Sequence, residues 1–301
     1  MLDVGRLIIL REVVRRGTMR AAADALGYTP SAVSQQMSRL QSQTHTRLFE
    51  REGRTLRPTL AAGLLVEHTN SIVAELERAE SELAASVESV AGVVAIGAFA
   101  SGASRLAAPA AVSLQQRHPA LEVHVREMED PVSIRELELG AVDVALLQAY
   151  THVPTAIPAS FHVERLMAEP VLLALPDTWD EPRRLRDLAD APWVAEPVAN
   201  PAGRALLHAC RAVGFEPDIR YRATSFPVIV GIVGQGLGVS FVPALAVQGT
   251  TAEGVRFLPV AGARLERTIS LAVRPASRRR PAMTAAVEAL HTIAGAHPAV
   301  I

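Results

Sequence analysis

The chain has 301 residues, with 30 Arg, no Lys, 31 acidic residues and a formal net charge of −1. Taken whole, that balance speaks against a nucleic-acid binder, which usually carries a basic excess, and against a membrane-surface protein. The missing lysine excludes Schiff-base chemistry and a lysine-bearing phosphate loop, and the single cysteine, Cys210, excludes an intrachain disulfide and a multi-thiolate metal site.

The length implies about two domains of roughly 150 residues each. The apolar stretch near the N-terminus is too short for a signal segment and is interrupted by arginines. No apolar run reaches the ~20 residues of a membrane span. The expectation is a soluble cytoplasmic protein.

Charge falls into three blocks. Residues 1–58 carry ten Arg against five acids (+5), residues 59–90 carry one Arg against six Glu (−5), and the remainder sums to −1. Three electrostatic blocks suggest three structural units.

The first block predicts short helices. Val4, Leu7, Leu10 and Val14 recur at helical spacing, Gly17 ends that run and Thr18 caps the next helix, which Gly27 closes. Thr29 caps a third helix, with Pro30 at its first position, running to about Thr44. On that helix Val33, Met37 and Leu40 form an apolar face, and Ser31, Ser34, Gln35, Ser38 and Arg39 a polar one. Short polar groups near the N-terminus of a helix, with a Gln able to bond adenine N6 and N7, suit a recognition helix in the major groove. The alternative is an ordinary three-helix cap with a solvated face. An Arg-rich strand–loop–strand around Gly53 follows and suits a DNA-contacting wing.

The second block predicts one helix from about 59 to 90. Leu65, Thr69, Ile72, Leu76, Ala79, Leu83, Ser86 and Val90 alternate at spacings of four and three, a heptad seam for a second copy. The alternative is packing on its own domain.

From 91 onward strands and helices alternate. The strands expected are Val93–Gly97, Leu121–Arg126, Val142–Leu147, Val171–Leu175, Trp193–Ala195, Ile219–Ala223, Val239–Val242 and Ile269–Val273. The helices expected are 103–117, Pro131–Leu139, Ala202–Val213 and Pro227–Gly234. This pattern reads as α/β with a parallel, doubly wound sheet, in two lobes.

The segment GTMRAAADALGYTPSAVSQQMSRLQSQTHTRLFEREGRTLRPT resembles the winged helix–turn–helix of LysR-type transcriptional regulators, whose usual string runs G-S-F-T-x-A-A, S-x-x-A-V/L-S-x-Q-I, L-E, L-G, L-F-x-R and T-x-A-G. Ala22, Ala23, Ser34, Gln36, Leu40, Leu48, Phe49 and Arg51 match at the right spacing, and the resemblance covers nearly the whole chain. The departures are Gln41 for Glu, Thr44 for Leu, His45 for the Gly that ends the recognition helix, and Ala62 for the last Gly.

The resemblance implies a DNA-binding domain (1–58), a dimerisation helix (59–90) and a periplasmic-binding-protein-like effector domain (91–301). Within the last, it implies lobe I at 91–163 and 268–301 and lobe II at 164–267, with crossover strands near Glu164–Arg165 and Thr268–Ile269. It also implies base readout by Ser31, Ala32, Ser34 and Gln35, and phosphate contacts from Gln36, Arg39, Arg51 and Arg54. Dimerisation falls to Leu65, Ile72, Leu76 and Leu83, in a homodimer or homotetramer on double-stranded DNA.

Effector contacts fall between the lobes, at the carboxyl ends of strands: Ala100, Ser101, Gly102, Asp130 and Gln148 from one side; Val198, Asn200, Thr224, Ser225 and Phe226 from the other. Ser101 and Gly102 are expected to precede a helix whose exposed N–H groups could hold an anion. Ser225 reads equally as a helix cap or a ligand contact. Asp130 reads as an exposed loop acid or, with Glu129, as a bias toward a ligand bearing an amine or hydroxyl.

Gly234, Gly236 and Gly238 do not make a dinucleotide fingerprint, which needs a strand before the glycines and a helix after them; here the order is reversed. Cys210 reads as a buried small residue without a partner thiol, and Arg278–Arg280 as a solvated loop. No metal-ligand spacing or nucleophile elbow occurs, so no cofactor and no enzymatic activity are expected. A transporter-type binding protein, the competing class, would lack the basic N-terminal unit.

Overall fold

A computed structural model describes residues 1–52, 55–85, 89–249, 252–260 and 265–297. The chain forms two compact units, Met1–Leu83 and Ala84–Ile301.

The first unit follows its capping signals. Helix α1 (Val4–Arg16) begins at Asp3, whose carboxylate accepts from the Arg6 N–H at 3.1 Å, and ends at left-handed Gly17. Helix α2 (Met19–Leu26) lies between Thr18 and Gly27, and α3 (Pro30–Thr44) starts at Thr29, as their side chains require. Leu7, Leu10, Val13, Ala22, Ala23, Val33, Met37 and Leu40 close one core. Burying each large apolar side chain is worth roughly 1.5–3 kcal/mol, which decides the face of α3 that turns outward. Strands β1 (Phe49–Glu52) and β2 (Thr55–Pro58) pair antiparallel. Thr59 then accepts from the Ala62 N–H at 3.3 Å and opens α4 (Leu60–Ala85).

The heptad seam is shorter than its sequence period. Leu65 packs against the first unit's own core and Thr69 is fully buried. Val90 lies beyond the helix, packed against the second unit's core. Ser86 lies outside the described residues.

In the second unit β3 (Gly92–Ala98) leads into a helical run: α5 (Ala100–Gly102), a π-turn (Ala103–Ala107) and α6 (Ala108–Arg117). Ser101 and Gly102 are thus inside the helix's first turn, not before it. Next come β4 (Leu121–Glu127), α7 (Asp130–Glu138), β5 (Val144–Tyr150), β6 (His162–Pro176), β7 (Pro192–Ala195) and α8 (Pro201–Ala212). Then follow β8 (Asp218–Arg222), α9 (Phe226–Gly234), β9 (Ser240–Pro243), α10 (Ala244–Val247), β10 (Val255–Pro259), β11 (Glu266–Val273) and α11 (Pro281–Ala296).

The main sheet runs β10-β6-β11-β5-β3-β4, with β9 also on β6. It is mixed, not parallel throughout. Strand β3 is parallel to β4 and β5, and β7 to β8, whereas β11 is antiparallel to β5 and β6, and β9 and β10 are antiparallel to β6. The β6–β11 pair is antiparallel because these two strands carry the chain between the lobes in opposite directions.

The crossing itself differs from the expected place. Along β6, His162–Pro170 pairs with β11, and Val171–Pro176 pairs with β9 and β10. The lobe change therefore falls at Pro170, not at Glu164–Arg165. Proline has no N–H to give a ladder, which suits a residue where the strand changes partners. The return crossing enters lobe I at Glu266–Arg267, just before Thr268. Lobe I is built around Ile96, Leu114, Leu146, Leu271 and Leu290, and lobe II around Leu173, Trp193, Leu206 and Phe241, with Ile229 and Val233 on its other face. Among the described residues no helix is long and apolar enough to cross a membrane.

Candidate nucleic-acid interface and inter-lobe site

On α3 the two faces separate as their chemistry demands. Ser31, Ser34, Gln35, Ser38 and Arg39 are exposed, Ala32 and Gln36 half-buried, and Val33, Met37 and Leu40 buried. Ser38 donates to the Ser34 carbonyl at 3.0 Å, and the Ser31 and Thr29 hydroxyls lie 3.1 Å apart. Gln36 is tied down, its Oε1 accepting from Arg6 Nε at 3.1 Å. Among the described residues Gln35 and Arg39 have no hydrogen-bond partner and remain uncommitted. Arg51 lies on β1 opposite Leu56, and Arg54 lies outside the described residues.

The helix ends on His45 at φ 50, a left-handed cap that closes onto the Gln41 carbonyl. Gln41 itself accepts from the Leu48 N–H at 2.8 Å, bracing the chain where it turns toward the β1–β2 hairpin. Farther along α4, Ile72, Leu76 and Leu83 stand 36, 50 and 69% exposed. That apolar row faces outward, which is unusual for side chains of this size.

In the second unit the carboxyl ends of β3, β4 and β5 converge with the two crossing strands. At their centre is Arg267, which is completely buried. Its Nε and Nη2 donate to Glu169 Oε1 at 2.7 and 2.5 Å, its Nη1 to Gln148 Oε1 at 3.0 Å, and its Nη2 also to Ser101 Oγ at 3.0 Å. The guanidinium sits 4.8 Å above the Phe99 ring. A Cβ on Gly102 would come within 3.0 Å of that ring, so the glycine is what lets Phe99 lie there. Tyr150 donates to Gln148 Oε1 at 3.2 Å, and Glu169 Oε2 accepts from the Leu245 N–H in lobe II.

Asp130 joins this network from α7. It is 1% exposed, and its Oδ2 accepts from the Gln148 N–H at 3.0 Å and meets the Thr155 hydroxyl at 3.2 Å. It is therefore not the exposed loop acid of one sequence reading. Burial pushes its carboxyl up to about 7. Its Oδ1 is buried with no partner among the described residues. Across the cleft Glu196, just past β7, is half-buried and accepts from Asn200 Nδ2 at 3.0 Å; burial pushes it up to about 7, and the Glu129 charge raises it further. Glu129 is raised too, by burial and by Glu127.

The structure thus brings Ser101, Asp130 and Gln148 together, while Asn200 bonds Glu196 on the lobe II side. Ala100, Val198 and Thr224 are exposed, and Phe226 packs partly into lobe II. Asn200 and Ser225 both occupy helix N-cap positions without making the cap bond. The hydroxyl of Ser225 is not spent on capping. Sequence reasoning missed Arg267, Glu169 and Glu196. The only signal was a charge beside a strand end, and nothing local says that Arg267 meets a residue 98 positions away. Cys210 is fully buried, its thiol pushed up to about 12 by burial. Arg278 is not merely solvated, since it pairs with Glu164 at 2.9 Å.

Comparison with known proteins gives consistent matches. Residues 4–63 match the family model described as "Bacterial regulatory helix-turn-helix protein, lysR family", and residues 88–294 match "LysR substrate binding domain". The chain is 28% identical over 301 residues to the DNA-binding transcriptional dual regulator OxyR of Escherichia coli strain K12, covering 92% of this chain and 91% of that one. It is 26% identical over 233 residues to the transcriptional regulator AlsR of Bacillus subtilis, covering 75% of each. Among solved structures, a full-length OxyR variant from Pseudomonas aeruginosa superposes with a TM-score of 0.69 at 18% identity, covering 99% of this chain and 96% of that one. Full-length CbnR complexed with its target DNA gives 0.55 at 19%, covering 97% and 100%.

Proposed function

This chain belongs to the LysR family of bacterial transcriptional regulators, and we propose which of its residues read DNA, receive the effector and join its copies. As a family member it is a DNA-binding regulator that carries an effector-binding domain and assembles into oligomers. Ser31, Ala32, Ser34 and Gln35 contact base edges, and Gln36, Arg39, Arg51 and Arg54 contact phosphates. The working parts are a DNA-binding domain at 1–58, a linker at 59–90 and an effector domain at 91–301. Ile72, Leu76 and Leu83 join two chains, with Leu65 anchoring the seam to its own domain. Ala100, Ser101, Gly102, Asp130, Gln148, Val198, Asn200, Thr224, Ser225 and Phe226 border the effector. The protein acts as a regulator rather than an enzyme, in the cytoplasm where its DNA is.

The observation that carries the DNA reading is the uncommitted Gln35 on the outward face of α3. A Gln bidentate to adenine discriminates by ~1–3 kcal/mol. Gln35→Ala is therefore expected to weaken an operator obtained by genomic selection by that amount, and to leave scrambled DNA nearly unchanged, as read by fluorescence anisotropy. Equal losses on both DNAs refute this role for Gln35.

Some relatives are named hydrogen peroxide-inducible genes activators. The single, buried, high-pKa thiol of this chain supports effector binding instead of thiol oxidation as the signal, because the reactive form is the thiolate.

A further inference from the structure

Among the described residues the cleft holds one buried cation, Arg267, and it is already matched by Glu169, whose Oε1 takes two of its donors. That leaves Asp130 and Glu129 on lobe I and Glu196 on lobe II. Among the described residues none of the three is ion-paired, and Glu196 answers only to the neutral amide of Asn200. Arg267 and Glu129 both act on the charge of Glu196, and Arg267 acts on that of Glu129 and Asp130, so the groups share one neighbourhood.

A second observation points to a ligand. Asp130 is almost fully buried, and its carboxylate stands at the strand ends that floor the cleft, with Oδ2 on the Gln148 N–H. Yet its Oδ1 has no partner among the described residues. A buried acceptor without a donor is costly. An ionised carboxylate only accepts hydrogen bonds, so the complement is a molecule rich in donors; an ammonium brings three and a guanidinium five.

We propose that the effector is a small organic cation, an amine or guanidine, held between Glu129 of lobe I and Glu196 of lobe II with Asp130 beneath it. This rests on the inter-lobe cleft being the effector site. Because the cation meets carboxyls from both lobes, its binding favours the closed arrangement, and its differential affinity for that arrangement is what shifts the population. Asp130 and Glu196 carry protons part of the time near neutrality, and the cation expels them.

The test uses the full chain with 1,4-diaminobutane, agmatine and phenethylamine as cationic probes, succinate and benzoate as anions, and 1,4-butanediol as a neutral. Melting shifts and calorimetric titrations are read at pH 6, 7 and 8. The expected result is stabilisation by a cationic probe, with affinity rising several-fold from pH 6 to 8. Glu129→Gln and Glu196→Gln should each weaken it about tenfold or more and flatten the pH dependence, whereas Glu122→Gln on β4 should leave it unchanged. Stabilisation by anions alone, or by the diol alone, with sensitivity to Ser101→Ala, overturns the cation and leaves the cleft reading standing. Cation binding indifferent to both glutamates overturns the grip proposed here. A melt unmoved by any probe overturns the cation and leaves the cleft reading standing.

Discussion

Arg267 Nη2 lies 2.5 Å from Glu169 Oε1, and each residue stands on one of the two strands that join the lobes. Their register partners each other directly, Arg267 opposite Glu169, immediately beside the Glu266–Pro170 pair where the chain changes lobes. The ion pair therefore lies at the junction itself. Removing one member of a buried pair leaves an uncompensated charge and costs about 3–5 kcal/mol. Arg267→Met is expected to lose that much in urea unfolding followed by the fluorescence of buried Trp193. Adding Glu169→Gln, which keeps an acceptor for the Leu245 N–H, should recover a substantial part. Additive losses in the double variant would contradict the coupling.

Asp130 makes stability depend on pH. Its carboxyl is raised to about 7 in the folded chain, whereas an unfolded aspartate titrates near ~4. Between those values the folded state holds more protons, so stability falls as pH rises from about 4 to about 7 and levels off above. The total is on the order of a few kcal/mol. Asp130→Asn keeps the shape without the titration and is expected to flatten the urea midpoint over that window. An unchanged slope would remove Asp130 as its source.

His45 holds the left-handed position at the end of the recognition helix. That conformation costs an L-residue roughly 1–2 kcal/mol, while glycine adopts it freely at some cost in chain entropy. His45→Gly is expected to raise the unfolding free energy of the first unit by about 0.5–1 kcal/mol, detectable as a higher thermal midpoint. A drop in stability would mean that the imidazole contributes more than its backbone costs.

Cys210 is buried on α8 with its thiol pushed up to about 12. A thiol-specific chromogenic reagent is expected to label the native chain only at the rate of local opening and to label it fully in urea. Hydrogen peroxide should leave DNA affinity unchanged. Rapid native labelling, or peroxide-sensitive DNA binding in the wild type but not in Cys210→Ala, would show that this thiol does sense oxidation.

Much of the first unit is legible in the sequence. Thr18, Thr29, Gly17 and Gly27 mark helix ends through bonds to residues three or four positions away, and the 3.6-residue period sorts Val33, Met37 and Leu40 from Ser34, Gln35 and Arg39. Those interactions are local, so the string of residues contains them. The basic excess of 1–58, hidden in a total charge of −1, was likewise a matter of reading blocks instead of sums.

The polar half of β6 and the strand β10 escaped notice because their alternation is weak and their pairing partners are distant. The seam on α4 looked continuous because periodicity cannot say which turns, such as that of Thr69, are already covered by the chain's own core. The site shows the same division most sharply. Asp130, Gln148 and Ser101 could be placed at strand ends by topology alone. That Gln148 and Ser101 meet on Arg267, that Glu169 neutralises it, and that the charge of Glu129 reaches Glu196 were decided by the tertiary structure. Burial turns separate charges into one coupled group only when the two crossing strands bring residues 98 positions apart into register.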